Sequence, residues 1–165
     1  MARVIGRDAK SVLDVGSKKC EYLEWLDWVP NRMSIDLKNP YSSSSVKGIE
    51  GDFFGQTFEE KFDLVLCLQV LEHVHDVTTF SQKLLNSGRR LIVSVPYKWN
   101  SKWVESHIHD PVDEEKLKQW FGRDPNAYYV VKEPFTKARR LVAYYDTEDV
   151  SKVVGKAEIK LRRPF

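Results

Sequence analysis

The residues of this chain best suited to chemistry lie at the ends of its apolar runs. Asp14-Val-Gly16 closes the run Ser11 to Val15, and Asp36, followed by Leu37, closes Met33 to Asp36. Asp52-Phe53 follows Val46 to Glu50, and Leu68-Gln-Val-Leu-Glu-His-Val74 follows the run that starts at Phe62. If these runs are parallel strands, all four groups gather beyond the carboxyl edge of one sheet, where open α/β sheets hold their ligands. Gly16 allows a sharp turn and a left-handed backbone that a Cβ would penalise. Asp36 lies about twenty residues past that turn, where a carboxylate can accept hydrogen bonds from both ribose hydroxyls of an adenosine-bearing ligand. An acid at a strand end is also an ordinary cap or surface charge. Four in register are harder to dismiss that way.

A second group could handle protons. Glu72 and His73 follow the fourth run, and Trp99, Trp103, His107 and His109 follow the fifth. Histidine titrates near neutrality and suits general acid or base work, so His73, His107 and His109 are the catalytic candidates. Each has a structural alternative: Glu72 and His73 can satisfy backbone groups after a strand, and His107 and His109 can organise the turn before Asp110. His75 reads as surface. A His-x-His-Asp metal site is disfavoured, because groups adjacent in sequence often point apart, and no metal is expected. Trp99 and Trp103 can stack on a substrate or pack as a lid.

The elements that must position these groups alternate β-rich apolar runs with amphipathic segments, the pattern of β-α units on a mostly parallel sheet. Strands are expected at Ser11 to Val15, Met33 to Asp36, Val46 to Glu50, Phe62 to Leu68 and Arg90 to Val95. The fourth, almost continuously apolar, should be central. Lys19 to Val29 reads as a helix with Tyr22, Leu26 and Val29 on one face, stopped by Pro30. Val77 to Ser87 reads as another, capped by Asp76 and stopped by Gly88. A third opens with Asp110 as cap and Pro111 as first residue, buries Leu117, Trp120 and Phe121, and ends at Gly122. Tyr128 to Lys132 and Leu141 to Tyr145 suggest a closing antiparallel hairpin with a proline in the connection. Asn39 to Ser45 has the composition of an exposed loop, and the end of the chain, with Arg162-Arg163, is unassigned.

The 165 residues suit one domain, 1–165, with its core at about 11–145. A net charge of +2 makes no demand for nucleic acid. The first ten residues carry charges at Arg3, Arg7, Asp8 and Lys10, unlike a signal peptide or membrane anchor, so the expected compartment is the cytoplasm. Cys20 and Cys67 are too few for a disulfide framework and read as reduced thiols.

The order and spacing of the strand-end residues resemble the class I S-adenosylmethionine-dependent methyltransferases, especially a small-molecule branch with a Leu-Glu-His-Val signature after the fourth strand. The resemblance covers about Ser11 to Tyr145. It implies a Rossmann-like three-layer α/β sandwich, a mostly parallel seven-stranded sheet with a C-terminal antiparallel hairpin, and S-adenosylmethionine as cofactor. On it, Gly16 and Ser17 form the cofactor turn and Asp14 faces the ligand's ammonium. Asp36 and Leu37 hold the ribose side, Asp52 accepts from the adenine amino group, and Phe53 packs on the ring. Leu68 and Gln69 line the methionine end, while Trp99 and Trp103 face the methyl acceptor. The family pattern D-x-G-x-G-x-G is represented by Asp14-Val-Gly-Ser-Lys-Lys-Cys20, which keeps only the first glycine. Strain is therefore expected at Lys18 and Cys20, although Lys18 and Lys19 can also reach the ligand's carboxylate. The degraded loop leaves open a non-catalytic binding module on the same fold. A nicotinamide-dependent oxidoreductase is a weaker alternative, lacking the G-x-G-x-x-G turn. With no long insertion to serve as a cap, the acceptor should arrive from outside, large or carrier-linked, or sit in an open cleft covered by Tyr97 to His109.

Overall fold

The computed structural model describes residues 1–133, 136 and 138–154. Seven strands, β1 (Ser11–Val15), β2 (Asn31–Asp36), β3 (Val46–Glu50), β4 (Leu64–Leu68), β5 (Arg90–Pro96), β6 (Ala127–Lys132) and β7 (Arg139–Asp146), form one sheet in the order β3-β2-β1-β4-β5-β7-β6. The first five run parallel, and β7 is antiparallel to both β5 and β6. This is the expected Rossmann-like α/β sheet with its antiparallel end. The chain leaves β1 towards β2 and β3, then returns to place β4 on the other side of β1. The crevice between the ends of β1 and β4 is thus the point where strand order reverses.

The strand sequences explain which of them is central. β4 reads Leu-Val-Leu-Cys-Leu and is buried at its first four positions. Val65 and Cys67 join a core cluster on one face, while Leu64 and Leu66 join a second cluster on the other. A strand covered on both faces has no polar side to offer solvent.

Helix α2 (Val77–Ser87) has the expected bounds. The Asp76 carboxylate accepts from the Thr79 N–H at 3.2 Å, and Val77, Phe80 and Leu84 form its buried stripe. Helix α3 (Glu114–Phe121) buries Leu117, Trp120 and Phe121 as expected and ends at Gly122, whose φ of 71° gives the left-handed stop. Its start differs from expectation: Asp113, not Asp110, is the cap, accepting from the Lys116 N–H at 3.1 Å. The Asp110 carboxylate is engaged by His107 instead.

Lys19 to Val29 does not form an α-helix. It contains a 3₁₀ helix at Glu21–Leu26, after left-handed Lys18 and Lys19 and an extended Cys20. With the backbone out of the αR region through residue 20, no regular turn can begin before Glu21. Leu23, Leu26 and Val29 are still buried. The face they cover carries this 3₁₀ helix and the one-turn α1 (Ala2–Ile5), whereas α2 and α3 pack on the other. Among the described residues, one outer layer is therefore built from this 3₁₀ helix and α1, and the other from the longer helices α2 and α3.

Beyond β7, Asn126 Nδ2 donates to the carbonyls of Asp149, Val150 and Lys152, and Val154 is buried in the second cluster. Pro134, in the connection before β7, and Arg162-Arg163 lie outside the described residues. Among those described, no helix is long and apolar enough to cross a membrane.

Candidate functional site

At the end of β1, Gly16 has φ +83°, and its N–H donates to the Ile35 carbonyl at 2.8 Å. A Cβ built there would lie 2.4 Å from Val70 Cγ2, so the close passage of the β1 and β4 ends admits only glycine. Lys18 (φ 45°) and Lys19 (φ 60°) are left-handed as well, whereas Cys20 (φ −78°) is not. The strained positions are therefore Lys18 and Lys19 rather than Lys18 and Cys20, at a cost of about 1 to 2 kcal/mol per residue.

Neighbouring backbone holds the turn in place. Lys18 N–H donates to Asp36 Oδ2 at 3.0 Å, Lys19 N–H to the Asn39 carbonyl at 2.8 Å and Cys20 N–H to the Ser17 carbonyl at 2.8 Å. Ser17 is buried, and its Oγ accepts from the Tyr41 N–H at 3.1 Å. Asp36 also accepts at Oδ1 from the N–H groups of Lys38 (3.0 Å) and Asn39 (2.9 Å). Burial works against its charge, but these three backbone donors and the Lys18 charge outweigh it and hold the carboxyl below its ordinary range.

Asp14 has a different environment. It is 1 % exposed; the Tyr22 hydroxyl donates to Oδ1, and Oδ2 has no protein partner. Burial, with the Asp36 charge adding to it and the Tyr22 hydrogen bond opposing, pushes Asp14 up to about 7. The same burial and the adjacent Asp14 raise the Tyr22 phenol.

Asp52 accepts from the Phe54 N–H at 2.9 Å and opens a short 3₁₀ turn, Phe53–Gly55. The Phe53 ring is 4 % exposed and packs on Phe80 at 5.1 Å, so the aromatic surface displayed here belongs to Phe54. Leu37 is exposed. Leu68 is half-buried, and Gln69, at φ 60°, donates from its backbone N–H to the Ser94 carbonyl and from Nε2 to Ser94 Oγ. Arg140 donates to Gln69 Oε1. This ties the end of β4 to β5 and β7.

The structure brings a second group together beside the first. Glu72 and His73 lie on the 3₁₀ turn Leu71–His73 that follows β4. The loop after β5 docks on that turn: Ile108 N–H donates to the Glu72 carbonyl at 3.0 Å, and His73 Nδ1 lies 2.9 Å from the Ser106 carbonyl. His107 and His73 meet edge to face at 4.8 Å, and Trp99 stacks on His107 at 5.8 Å. His107 Nδ1 is 2.7 Å from Asp110 Oδ2, both side chains being almost wholly buried. Glu72 is 1 % exposed with Oε2 unpartnered; burial raises it to about 7, Arg140 opposing and Asp110 reinforcing. Trp103 packs on Trp99 and remains 64 % exposed, and the Arg140 guanidinium lies over Trp99 at 4.4 Å.

His109 is not part of this group. Its Nε2 is 2.7 Å from the Val74 carbonyl, its ring abuts Trp120 at 5.2 Å and its own carbonyl accepts from Lys116 Nζ, so it braces the loop against α3. His75 is exposed. Tyr22, Asp110 and Arg140 are the participants that sequence reasoning missed. In the sequence Tyr22 reads as part of an apolar helical face and Asp110 as a cap, and Arg140 carries no motif at all.

No family model matches the chain, and no curated protein matches it. Solved structures do. The N-methyltransferase NodS from Bradyrhizobium japonicum WM9, in complex with S-adenosyl-L-homocysteine, aligns with a TM-score of 0.63 and 16% identity over 87% of this chain and 81% of that one. Burkholderia thailandensis 1,6-didemethyltoxoflavin-N1-methyltransferase, with 1,6-didemethyltoxoflavin and S-adenosylhomocysteine bound, aligns with a TM-score of 0.66 and 18% identity over 87% and 74%. The N-terminal domain of EvdMO1, with SAH bound, gives 0.61 and 14% over 88% and 77%. At such identities the likeness establishes a shared fold.

Proposed function

We propose that this chain is a one-domain S-adenosylmethionine-dependent methyltransferase whose acceptor enters from the side of the β4 and β5 loops. The observation that carries the reading is the crevice between β1 and β4, where Gly16 leaves no room for a Cβ beside a buried Asp14 with an unpartnered oxygen. A buried carboxylate oxygen without a donor is costly, and a ligand ammonium supplies the missing partner. The solved methyltransferases that share this fold, crystallised with S-adenosylhomocysteine, support the same ligand.

The residues fit that ligand in an order set by the strand ends. Gly16 and Ser17 form the turn, and Asp14 takes the ammonium. Asp36 takes the ribose, its Oδ2 receiving only the Lys18 N–H and so retaining acceptor capacity. Leu37 extends the ribose side, Asp52 and the displayed ring of Phe54, in place of the buried Phe53, form the purine side, and Leu68 and Gln69 the methionine end. When bound, the cofactor supplies a methyl group on a positively charged sulfur. The chain's own part is mostly positioning, which can account for a large share of such a barrier. On the acceptor side, Trp99 and Trp103 offer flat apolar surface, and Glu72, His73 and His107 meet the acceptor's nucleophilic atom. His109 holds the loop that carries His107. The exposure of Trp103 and Ile108 suits an acceptor approaching from outside, large or carrier-linked. Two free thiols, Cys20 and Cys67, suit the reducing cytoplasm.

One observation favours the rival reading, a non-catalytic module on the same fold: Asp36 already accepts three backbone N–H groups and Asp14 the Tyr22 hydroxyl, so both acids serve the turn itself. Calorimetric titration with S-adenosylhomocysteine separates the two. Saturable binding that Asp14→Asn and Asp36→Ala weaken supports the enzyme. A folded protein that gives no heat at millimolar ligand supports the module, and heat with NADH alone would point to an oxidoreductase.

A further inference from the structure

Glu72, His73 and His107 each offer one ligand atom, and these three atoms lie within 4.8 Å of one another. They come from two loops, the turn after β4 and the segment after β5, clamped by the Ile108 N–H on the Glu72 carbonyl and by His73 Nδ1 on the Ser106 carbonyl. Glu72 Oε2 is buried with no partner, and so is Oδ1 of the neighbouring Asp110. The guanidinium whose charge acts on Glu72, Arg140, is bound to Glu133 and Gln69.

The imidazoles are already oriented. A carbonyl oxygen only accepts, so His73 Nδ1 beside the Ser106 carbonyl carries the proton in the neutral ring and Nε2 keeps the lone pair. Asp110 imposes the same tautomer on His107. A carbonyl or carboxylate behind the remote nitrogen is the outer shell that metal-bound imidazoles use.

We propose that Glu72, His73 and His107 bind a first-row divalent cation such as Zn²⁺ or Mn²⁺, with Asp110 and the Ser106 carbonyl as its outer shell. Two imidazoles and one carboxylate suit such ions and leave coordination positions open. Donors at about 2.1 Å from one ion lie roughly 3 to 3.5 Å apart, so atoms within 4.8 Å of one another need close in by no more than about 1.5 Å on binding, within reach of side-chain rotation. Its use rests on the methyltransferase reading. A hydroxyl drawn to the cation becomes more acidic and sheds its proton to water. Its oxygen then forms the new C–O bond as the sulfonium S–CH₃ bond breaks, releasing S-adenosylhomocysteine. The acceptor class this implies is a hydroxyl compound.

The test is metal binding by the chelator-stripped, untagged protein in the absence of cofactor, so that its failure is distinct from failure of the S-adenosylhomocysteine titration. Calorimetry with ZnCl₂ and MnCl₂ should show one site. CoCl₂ should give a visible absorption band and quench the tryptophan fluorescence, since Trp99 stacks on His107. His73→Asn, at an exposed position that should tolerate exchange, and Glu72→Gln should each weaken affinity at least about ten-fold, and Asp110→Asn by about ten- to a hundred-fold. His75→Asn, at an exposed position outside the cluster, should leave it unchanged. Heat absent at millimolar metal, or affinity equal in native protein, His73→Asn and Glu72→Gln, overturns the site and leaves His107 and Asp110 as a metal-free pair.

Discussion

The hydroxyl of Tyr22 donates to the carboxylate of Asp14, a contact that satisfies one oxygen and leaves the other buried without a partner. Burial is what pushes Asp14 to about 7 from an ordinary 3.8, against the pull of that hydrogen bond. A carboxyl raised in the folded chain binds its proton more tightly folded than unfolded. Its stabilisation is thus whole below about pH 4 and is lost as pH rises through 7. Asp14→Asn should therefore gain on the native chain between about pH 4 and pH 7 in thermal denaturation. A difference in Tm that stays flat across that window would contradict the assignment.

Asp36 is expected to show two losses at once. Asp36→Ala removes an acceptor shared by three backbone N–H groups and, on the proposed function, the ribose contacts, which as charge-assisted hydrogen bonds are worth about 1.5 to 3 kcal/mol. Calorimetry should show S-adenosylhomocysteine affinity falling about ten- to a hundred-fold, and amide hydrogen exchange should quicken at Lys18 and Asn39. Faster exchange without lost affinity would assign Asp36 to the turn alone.

Replacing Lys18 or Lys19 by glycine should stabilise the protein. Each relieves about 1 to 2 kcal/mol of left-handed strain and returns about 0.5 to 1 kcal/mol through the greater freedom of glycine when unfolded. The net gain is roughly 0.5 to 1 kcal/mol per site, readable in urea denaturation. Cys20→Gly, at an ordinary φ of −78°, should stabilise nothing. If Cys20→Gly matched the lysine variants, the strain argument would be wrong.

His109 and Trp103 should separate stability from turnover. His109→Ala removes the Val74 contact and the packing on Trp120, at about 1 to 3 kcal/mol of stability, while cofactor affinity is kept. Trp103→Ala, at an exposed ring, should cost little stability and lower methyl transfer instead. Urea denaturation run beside labelled-methyl transfer decides it. The reverse pattern would move His109 into the acceptor site.

Val77–Ser87 was legible in the sequence to the residue because its determinants are local: Asp76 before it, Gly88 after it and an apolar stripe between. The same holds for Val46–Glu50 and for the burial of β4, where a run of apolar residues admits no exposed face. Strand-end acids and Gly16 were legible for a related reason, since the carboxyl edge of a parallel sheet is where strand order alone delivers them.

What only the tertiary structure decided depends on partners distant in the chain. Lys19 to Val29 has a helical apolar period, yet its first residues are bent left-handed by hydrogen bonds to Asp36 and Asn39, and local propensity yields to them. Asp110 looks like a cap until His107 claims it, after which Asp113 opens the helix. Glu72 and His73 stand 30 and more positions before His107 in the sequence, and the pairing of Leu68 with Ser94 sets the loops beyond their strands side by side. Spacing along the chain carries no trace of that meeting, because the register between β4 and β5 is set by the packing of the whole sheet rather than by either loop.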